Sequence, residues 1–336
     1  MGDFEHREKD QRQAMSKIDI LIPTFNRAAP LKKNIELLAS QITEEGLCDE
    51  VQILISDNAS TDKTKDILRE ARVNPNVRVE VYSQDKNLGL EKNVIFLLGE
   101  SAADFVMFLG DDDYLPDGYL KYLVKSIYEI KELGAIIPGN SALHADGRLV
   151  VKRTGKEPVE SYEASFLTSL KLSKFGHQLS GLLLRRDGLY DDYCARPQYR
   201  NIYPFISFLA WNCLRGKILY APCFQVAITV FNPKDWKYDD SGLLTDIFKN
   251  YHLVFGWSTP KSVLSCSAFC LQQSWRLRIS RPKTAFSAFR HLWASSDVEA
   301  LLKIGLPIIY TYLLARKVFR VSARLLITGR LRQPAG

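Results

Sequence analysis

The 336-residue sequence predicts an α/β fold with a mostly parallel central sheet, followed by a helical C-terminal region. In residues 17–138, short apolar runs of strand length alternate with amphipathic segments of helical period. From residue 241 onward the pattern is helical, and prolines are its main interruptions. With 46% hydrophobic and 25% charged residues, the composition is that of a folded globular chain and excludes an intrinsically disordered one.

The first half of the chain predicts five strands and four helices in alternation. The strands are predicted at residues 18–22, 51–56, 77–82, 104–109 and 135–138. The helices are predicted at residues 30–41, 62–72, 90–100 and 116–133. Asp62 can cap the second helix, and Pro116 stands at the first helical position, which suits its fixed φ angle.

The second half is less regular. It predicts helices at residues 162–170 and 202–214, and strands at 217–220 and 224–231. We therefore expect a disordered leader, an α/β domain in two halves, and a helical region that ends in a basic tail. These segments are residues 1–16, residues 17–240 divided into 17–135 and 136–240, and residues 241–336.

The net charge of +7 belongs to the C-terminal tail. No acidic residue follows Glu299, and without the basic residues beyond it the chain holds 38 basic and 38 acidic residues. These tail residues are Lys303, Arg316, Lys317, Arg320, Arg324, Arg330 and Arg332. A nucleic-acid-binding protein spreads its basic residues over a folded face, so we expect no nucleic-acid partner.

The N-terminus and the cysteines predict a reducing, intracellular environment. Residues 1–17 are polar and contain no apolar stretch of the kind found in a secretory signal. The six cysteines are scattered without a CxxC pair, and Cys266 and Cys270 share a helix face. We expect them to be thiols rather than disulfides.

Three polar loops follow predicted strands, at residues 23–27 (PTFNR), 57–62 (DNASTD) and 110–113 (GDDD). In open parallel sheets, ligands bind where strands end and the chain turns into helices. The three loops therefore predict one binding site.

The acidic loop predicts a divalent metal site. Asp111, Asp112 and Asp113 place like charges together, which is costly unless a cation neutralises them. Carboxylate oxygens suit Mg²⁺ or Mn²⁺, which also bind phosphate oxygens. The alternative is a helix cap and turn, because Asp113 stands three residues before Pro116, where the next helix is predicted to begin.

Two further groups of residues indicate a nucleotide-binding site. Asp57 and Asn58 end the second strand, where a carboxylate can accept hydrogen bonds from a nucleobase. The segment NLGLEKN places Asn87, Gly89 and Asn93 before or within a helix whose N-terminus favours anions. Each group has a plain structural alternative as a turn or a cap.

In order, KIDILIPTFNR, VQILISDNASTDKT, NLGLEKN and DFVMFLGDDDYLPDGYL resemble the family 2 glycosyltransferases of the GT-A fold. The resemblance covers about residues 17–135. The GDDDYL version is similar to the bacterial surface-polysaccharide branch that includes abequosyltransferases.

The resemblance implies a nucleotide-sugar donor and an Mn²⁺ or Mg²⁺ ion. Gly110 stands where the family motif D-x-D-D has its first aspartate, so that Asp112 and Asp113 are the implied metal ligands. The implied donor-binding residues are Pro23, Thr24, Asn26, Arg27, Asp57, Asn58, Asn87, Gly89, Asn93 and Asp111.

Inverting members of the family need a general base, and this sequence supplies no carboxylate at the start of the helix predicted over 202–214. Asp191, Asp192 and His177 are the candidates. The two aspartates can instead form a solvated turn, and the histidine can be a buried or capping residue. A reaction that retains configuration would need no such base.

The tail predicts a membrane-surface helix. Residues 301–314 are nearly all apolar but too few to span a bilayer, and residues 316–326 alternate basic and apolar side chains. The alternative is a helix packed on the protein with solvated arginines.

The sequence thus predicts metal-dependent transfer of one sugar from a nucleotide donor to a glycan acceptor. We expect a lipid-linked acceptor and a cytoplasmic enzyme held peripherally at the inner face of the bacterial membrane. A nucleotidyltransferase is one alternative, although PTFNR lacks the glycine-rich phosphate loop it would need. A non-catalytic scaffold is the other.

Overall fold

The computed structural model describes residues 16–144, 148–151, 157–230, 243–279 and 281–330. The chain divides into two compact units. Unit 1 is Met1–Pro197 with Pro204–Pro233, and unit 2 is Gln198–Tyr203 with Lys234–Gly336. The predicted leader, apart from Ser16, lies outside the described residues, as do the last six residues of the tail.

Unit 1 is built on a nine-stranded mixed sheet, counted over the residues described. The order is β3-β2-β1-β4-β8-β5-β9-β7, with β6 paired to β5. Strands β1, β2, β3 and β4 are mutually parallel, β8 is antiparallel to β4 and β5, and β5 and β9 are parallel. The strands are β1 Ile18–Thr24, β2 Val51–Asp57, β3 Arg78–Ser83, β4 Phe105–Phe108, β5 Leu133–His144, β6 Leu149–Val151, β7 Glu160–Tyr162, β8 Leu182–Arg185 and β9 Lys217–Val230.

The helices of unit 1 connect these strands. Helix α1 follows the periodicity of its sequence and buries Leu31, Ile35, Leu38 and Ile42, which pack in the core with β1 and β2. Ser165 caps α5 by accepting a hydrogen bond from Thr168 N. The helices are α1 Ala28–Glu44, α2 Thr64–Arg72, α3 Leu90–Glu100, α4 Tyr119–Glu129, α5 Phe166–Leu172, α6 Leu189–Cys194 and α7 Pro204–Arg215, with a 3-10 helix at Ser173–His177.

The predicted α/β fold with a mostly parallel sheet is confirmed. Several element boundaries differ, and three of them have a clear local cause. Helix α4 begins at Tyr119 instead of Pro116, because Gly118 adopts a left-handed φ of 75°. Strands β5 and β9 run through Pro138 and Pro222, where the sequence predicts breaks. A shift in their pairing at Pro138/Gly139 absorbs both prolines, and a Cβ on Gly139 would lie 2.7 Å from Pro222 O.

Unit 2 is helical in the part that the structure describes, as the sequence predicts. Thr259 caps the second of its helices by accepting a hydrogen bond from Ser262 N. None of the described helices combines the length and the apolarity needed to cross a bilayer. The helices are α8 Leu244–Phe255, α9 Pro260–Gln272, α10 Pro282–Ala294 and α11 Ala300–Arg330.

Candidate active site

The three polar loops meet at one edge of the sheet because β1, β2 and β4 are parallel neighbours. Thr24 and Asp57 are paired residues at the ends of β1 and β2. The Thr24 hydroxyl donates a hydrogen bond to Asp111 Oδ2 at 2.7 Å. Thr24 therefore lies between the carboxylates of the second and third loops, and all three side chains are buried.

The first two loops are also tied to each other through Asn26. Its backbone N–H donates to Ser60 Oγ at 2.8 Å, and its side-chain Oδ1 accepts from Thr61 N at 2.8 Å. Asn26 adopts a left-handed φ of 52°, which asparagine tolerates better than most residues. These contacts hold the 23–27 loop, including Arg27, against the end of β2.

Asp57 carries an unsatisfied buried oxygen at this edge. The side chain is fully buried, and its Oδ1 accepts a hydrogen bond from Ser60 N at 3.0 Å. Its Oδ2 has no hydrogen-bond partner among the described residues. A buried carboxylate oxygen without a donor is costly, so this atom is suited to accept a hydrogen bond from a ligand.

Asn58 and Asn87 join β2 to the loop before α3. Asn58 Nδ2 donates to Asn87 Oδ1 at 2.9 Å, and Asn58 Oδ1 accepts from Leu88 N at 2.7 Å. Gly89 has a φ of 81° and donates its N–H to Asn87 Oδ1 at 2.8 Å. The loop therefore reaches the same edge as Asp57.

Asn93 lies deeper than the other residues implied in donor binding. Its side chain is buried on α3, where its Nδ2 donates to Ser56 O at 3.0 Å. Its Oδ1 accepts from Ser56 Oγ at 2.6 Å. Both ends of the amide are therefore used to fasten α3 to β2.

Asp111 is a strongly perturbed carboxyl group at this edge. Burial raises its pKa to about 7, and the neighbouring charges of Asp112 and Asp113 act in the same direction. The hydrogen bond from Thr24 and the guanidinium of Arg27 offset part of this shift. A cation bound here would favour the ionised form of Asp111.

Asp113 is held by the protein itself. Its Oδ2 accepts a hydrogen bond from Ser180 Oγ, and its Oδ1 accepts one from Thr229 N at 2.8 Å. Gly110 makes room for this carboxylate, because a Cβ there would lie 2.8 Å from Asp113 Oδ2. The glycine that departs from the family motif is thus explained by close packing against Asp113.

Asp112 lies between these two buried carboxylates and is half-buried. The Thr229 hydroxyl donates to its backbone carbonyl, which fixes the main chain of the loop. Hard oxygen ligands of this kind match Mg²⁺ or Mn²⁺. With the Asp113 side chain engaged by Ser180 and Thr229, the residues that fit a metal best are Asp112 and, next to it, Asp111.

The candidate bases fall at opposite edges of the sheet. Phe108 pairs with Leu182 and Phe105 with Arg185, so β8 runs away from the acidic loop. Asp191 and Asp192 on α6 follow the far end of β8, and Asp192 is paired with Arg215 at 2.5 Å. This placement argues against either aspartate as a base at the Asp111–Asp113 site.

His177 lies at the correct edge, because it precedes the start of β8 and stands three residues before Ser180. Its Nδ1 is 2.6 Å from Lys174 O. A carbonyl oxygen only accepts hydrogen bonds, so Nδ1 carries the proton and Nε2 is the acceptor nitrogen of the neutral ring. His177 remains a predicted base.

Three residues that organise the acidic loop have no distinctive motif in the sequence. Ser180 and Thr229 come from the second half of the chain and reach Asp113 through the pairing of β8 with β4 and of β9 with β5. Asn34 donates from α1 to the carbonyls of Gly110 and Asp113, both at 2.9 Å. Only Asn34 has a sequence signal, as a polar residue on the apolar face of a helix.

Comparison with solved structures supports the fold. The structure is similar to the Staphylococcus aureus protein TarS, residues 1–349, crystallised with UDP-GlcNAc, with a TM-score of 0.61 and 16% identity. The match covers 82% of this chain and 80% of that one. At this identity the likeness concerns the fold alone.

Two sequence relatives are named as glycosyltransferases of bacteria. The chain is 29% identical over 142 residues to the Campylobacter jejuni GalNAc(5)-diNAcBac-PP-undecaprenol beta-1,3-glucosyltransferase, covering 42% of this chain and 43% of that protein. It is 34% identical over 106 residues to the Salmonella typhimurium abequosyltransferase RfbV, and the match covers 32% of this chain and 31% of that protein. The matched region thus spans less than half the length of either relative.

The family model described as Glycosyl transferase family 2 matches residues 19–153. This range holds β1 from its second residue to the end of β6, all three polar loops and the Asp111–Asp113 motif. Over residues 19–153, the chain is therefore similar to glycosyltransferase family 2.

Proposed function

We propose that the protein is a metal-dependent glycosyltransferase that moves one sugar from a nucleotide-sugar donor to a glycan acceptor. The observation that carries this proposal is the buried Oδ2 of Asp57, which has no partner among the described residues and lies at the sheet edge that also presents Asp111 and Asp112. One end of a nucleoside diphosphate needs a hydrogen-bond acceptor for its base, and the other needs a cation. The edge supplies groups for both.

Asp57 is the proposed base-recognition residue. Its Oδ1 is occupied by Ser60 N, and its Oδ2 is left to accept an N–H from a nucleobase. Asn58 and the loop at Asn87–Gly89 border this position. Asn93 fixes α3 to β2 and so helps to hold the Asn87–Gly89 loop in place.

Asp112 and Asp111 are the proposed ligands of Mn²⁺ or Mg²⁺. When bound, the cation would neutralise negative charge on the departing nucleoside diphosphate. The chain's own part is to hold these carboxylates close together. Thr24 orients Asp111, while Ser180 and Thr229 lock Asp113 and the loop backbone. Arg27 places a positive charge near the same carboxylates.

The proposed acceptor is a lipid-linked glycan in bacterial surface-polysaccharide synthesis. This follows from the relatives, one of which is named for an undecaprenol-diphosphate-linked glycan. A lipid-linked acceptor would require the enzyme to work at a membrane surface.

Helix α11 has the exposed face that such a location needs. Its buried side chains include Leu302, Leu306 and Leu313, whereas another face leaves large apolar side chains in solvent. The exposed ones are Leu301 (55%), Ile304 (66%), Ile308 (71%), Tyr312 (53%) and Phe319 (74%). With Arg316 and Lys317 nearby and no acidic residue in the helix, this face is suited to an anionic lipid surface.

We expect the purified chain to co-sediment with vesicles containing phosphatidylglycerol and to bind pure phosphatidylcholine vesicles less. The double substitution Ile308→Glu with Phe319→Glu should weaken this binding at least tenfold, because it puts charge on the apolar face. Truncation after Glu299 is a poorer test, since it also removes buried Leu302 and Leu306. Val73→Glu, at a residue 77% exposed in unit 1, is the control. Equal binding by the double variant would refute the membrane proposal.

The donor proposal is tested by thermal stabilisation with UDP, GDP, CDP and dTDP, each with and without Mn²⁺. We expect one nucleotide to raise the Tm more than the others, and to do so more strongly with Mn²⁺. The Asp112→Ala variant should lose the Mn²⁺-dependent part of the shift. A folded wild-type protein that none of the four nucleotides stabilises would contradict the proposal.

A further inference from the structure

Three side chains with metal-binding chemistry converge inside unit 2. His252 comes from α8, Cys266 from α9, and Glu299 from the residue before α11. Each is at most 1% exposed. One ligand atom from each of the three lies within 4.8 Å of the other two. The cluster is made entirely of unit 2 residues, so it is separate from the loops that form the proposed donor site.

Three polar atoms of this cluster make no hydrogen bond with the described residues. His252 Nε2 lies 3.1 Å from Glu299 Oε1, yet neither ring nitrogen of His252 makes a hydrogen bond with the described residues. Because 3.1 Å is a normal hydrogen-bond distance, it is the angle that fails. Glu299 Oε2 is also buried without a partner among the described residues. A buried polar atom without a hydrogen bond is costly, so three in one cluster need an explanation.

A simple buried ion pair explains this arrangement less well than a shared cation. An ion pair would align a ring N–H of His252 with the carboxylate, and it would give Cys266 no role. Two ligands of one metal ion also lie close together without a hydrogen bond between them, as His252 Nε2 and Glu299 Oε1 do here. Around a tetrahedral Zn²⁺ with bonds of about 2.0–2.1 Å, neighbouring nitrogen and oxygen ligands lie roughly 3.3 Å apart.

The carboxylate is also held as a metal ligand usually is. Ser262 Oγ donates to Glu299 Oε1 at 2.8 Å, and Ser258 N donates to the same oxygen at 3.1 Å. Hydrogen bonds of this kind orient a ligating carboxylate from behind. They hold Oε1 beside His252 Nε2, where the two atoms can share a cation, and Oε2 has no partner among the described residues.

We propose that His252, Cys266 and Glu299 bind one Zn²⁺ ion. One nitrogen, one sulfur and one oxygen donor form a set typical of zinc, and water would complete a four-coordinate site. The ion would join α8, α9 and the start of α11, so its binding would stabilise unit 2.

The experiment uses the full chain, dialysed against a weak chelator and then supplied with Zn²⁺ or Co²⁺. We expect about one zinc per chain by elemental analysis and, with cobalt, a thiolate-to-metal charge-transfer band. Cys266→Ser should remove the band and lower the zinc content at least tenfold. Cys270→Ser is the matched control, because Cys270 is equally buried one turn along α9 but does not belong to the cluster.

Two results would overturn the proposal. One is a folded wild-type chain that retains less than a tenth of a zinc ion and shows no charge-transfer band with cobalt. The other is a Cys266→Ser protein with the same zinc content as the Cys270→Ser protein. Should Cys266→Ser fail to fold, Glu299→Gln keeps the shape of the side chain and is expected to weaken zinc binding at least tenfold. The wild-type cobalt spectrum alone also decides whether a thiolate is a ligand.

Discussion

Replacing Asp112 with asparagine is expected to lower kcat for sugar transfer by about 100-fold or more. In the proposed site this carboxylate binds the cation that stabilises the departing diphosphate, and an amide carries no charge to hold it. The loop should keep its shape, because Ser180 and Thr229 secure Asp113 and the backbone of Asp112. The measurement is steady-state transfer over a titration of Mn²⁺, with the Tm as a check on folding.

Asp117→Asn is the control for this variant. Asp117 lies in the same segment, five residues beyond Asp112, and is exposed. We expect it to transfer sugar at the wild-type rate. An Asp112→Asn enzyme with wild-type kcat and wild-type Mn²⁺ dependence would show that Asp112 does not bind the metal.

Replacing Asp57 with asparagine is expected to weaken binding of the preferred nucleoside diphosphate by about 10- to 100-fold. A hydrogen bond to a charged group contributes about 1.5–3 kcal/mol, and each 1.4 kcal/mol corresponds to a factor of ten. Asparagine can still accept from Ser60 N, but it replaces the unpartnered Oδ2 with an N–H₂ group that would oppose a donor on the base. Isothermal titration of wild type and variant measures the difference.

The control is Asp85→Asn, because Asp85 follows the neighbouring strand β3 and is exposed. It carries the same charge change with no proposed contact to the base, so its affinity should equal that of the wild type. If Asp57→Asn and Asp85→Asn bind the nucleotide equally well, Asp57 is not the base-recognition residue.

The fold and the edge that carries the site could be predicted from the sequence because both depend on local patterns. Apolar runs of strand length predict β1, β2 and β4, and polar residues follow each run. Once the strands are taken as parallel, their carboxyl ends must meet. The contact of Thr24 with Asp111 is the direct consequence of that arrangement.

Strand direction in the second half could not be predicted in this way. The strand Leu182–Arg185 is not predicted from the sequence, and its antiparallel pairing with β4 puts Asp191 and Asp192 at the far edge. The same pairing brings Ser180 to Asp113, and the pairing of β9 with β5 brings Thr229 there. No local signal marks these residues, because their role depends on contacts across 67 and 116 positions of the chain.

The cluster in unit 2 shows the same limit. Cys266 and Cys270 have the spacing of one helix face, and the structure places both on α9. Only the packing of three helices distinguishes them, because it puts His252 and Glu299 beside Cys266. Their separation in the chain exceeds that of the usual zinc-binding motifs, so sequence spacing gives no indication of the site.

The most direct test of the central proposal is a crystal structure of the chain with Mn²⁺ and the nucleoside diphosphate that stabilises it most. We expect the base to donate a hydrogen bond to Asp57 Oδ2 and the cation to contact Asp112 and the diphosphate. A nucleotide bound elsewhere on the molecule, or a cation that contacts neither Asp111 nor Asp112, would contradict the proposed site.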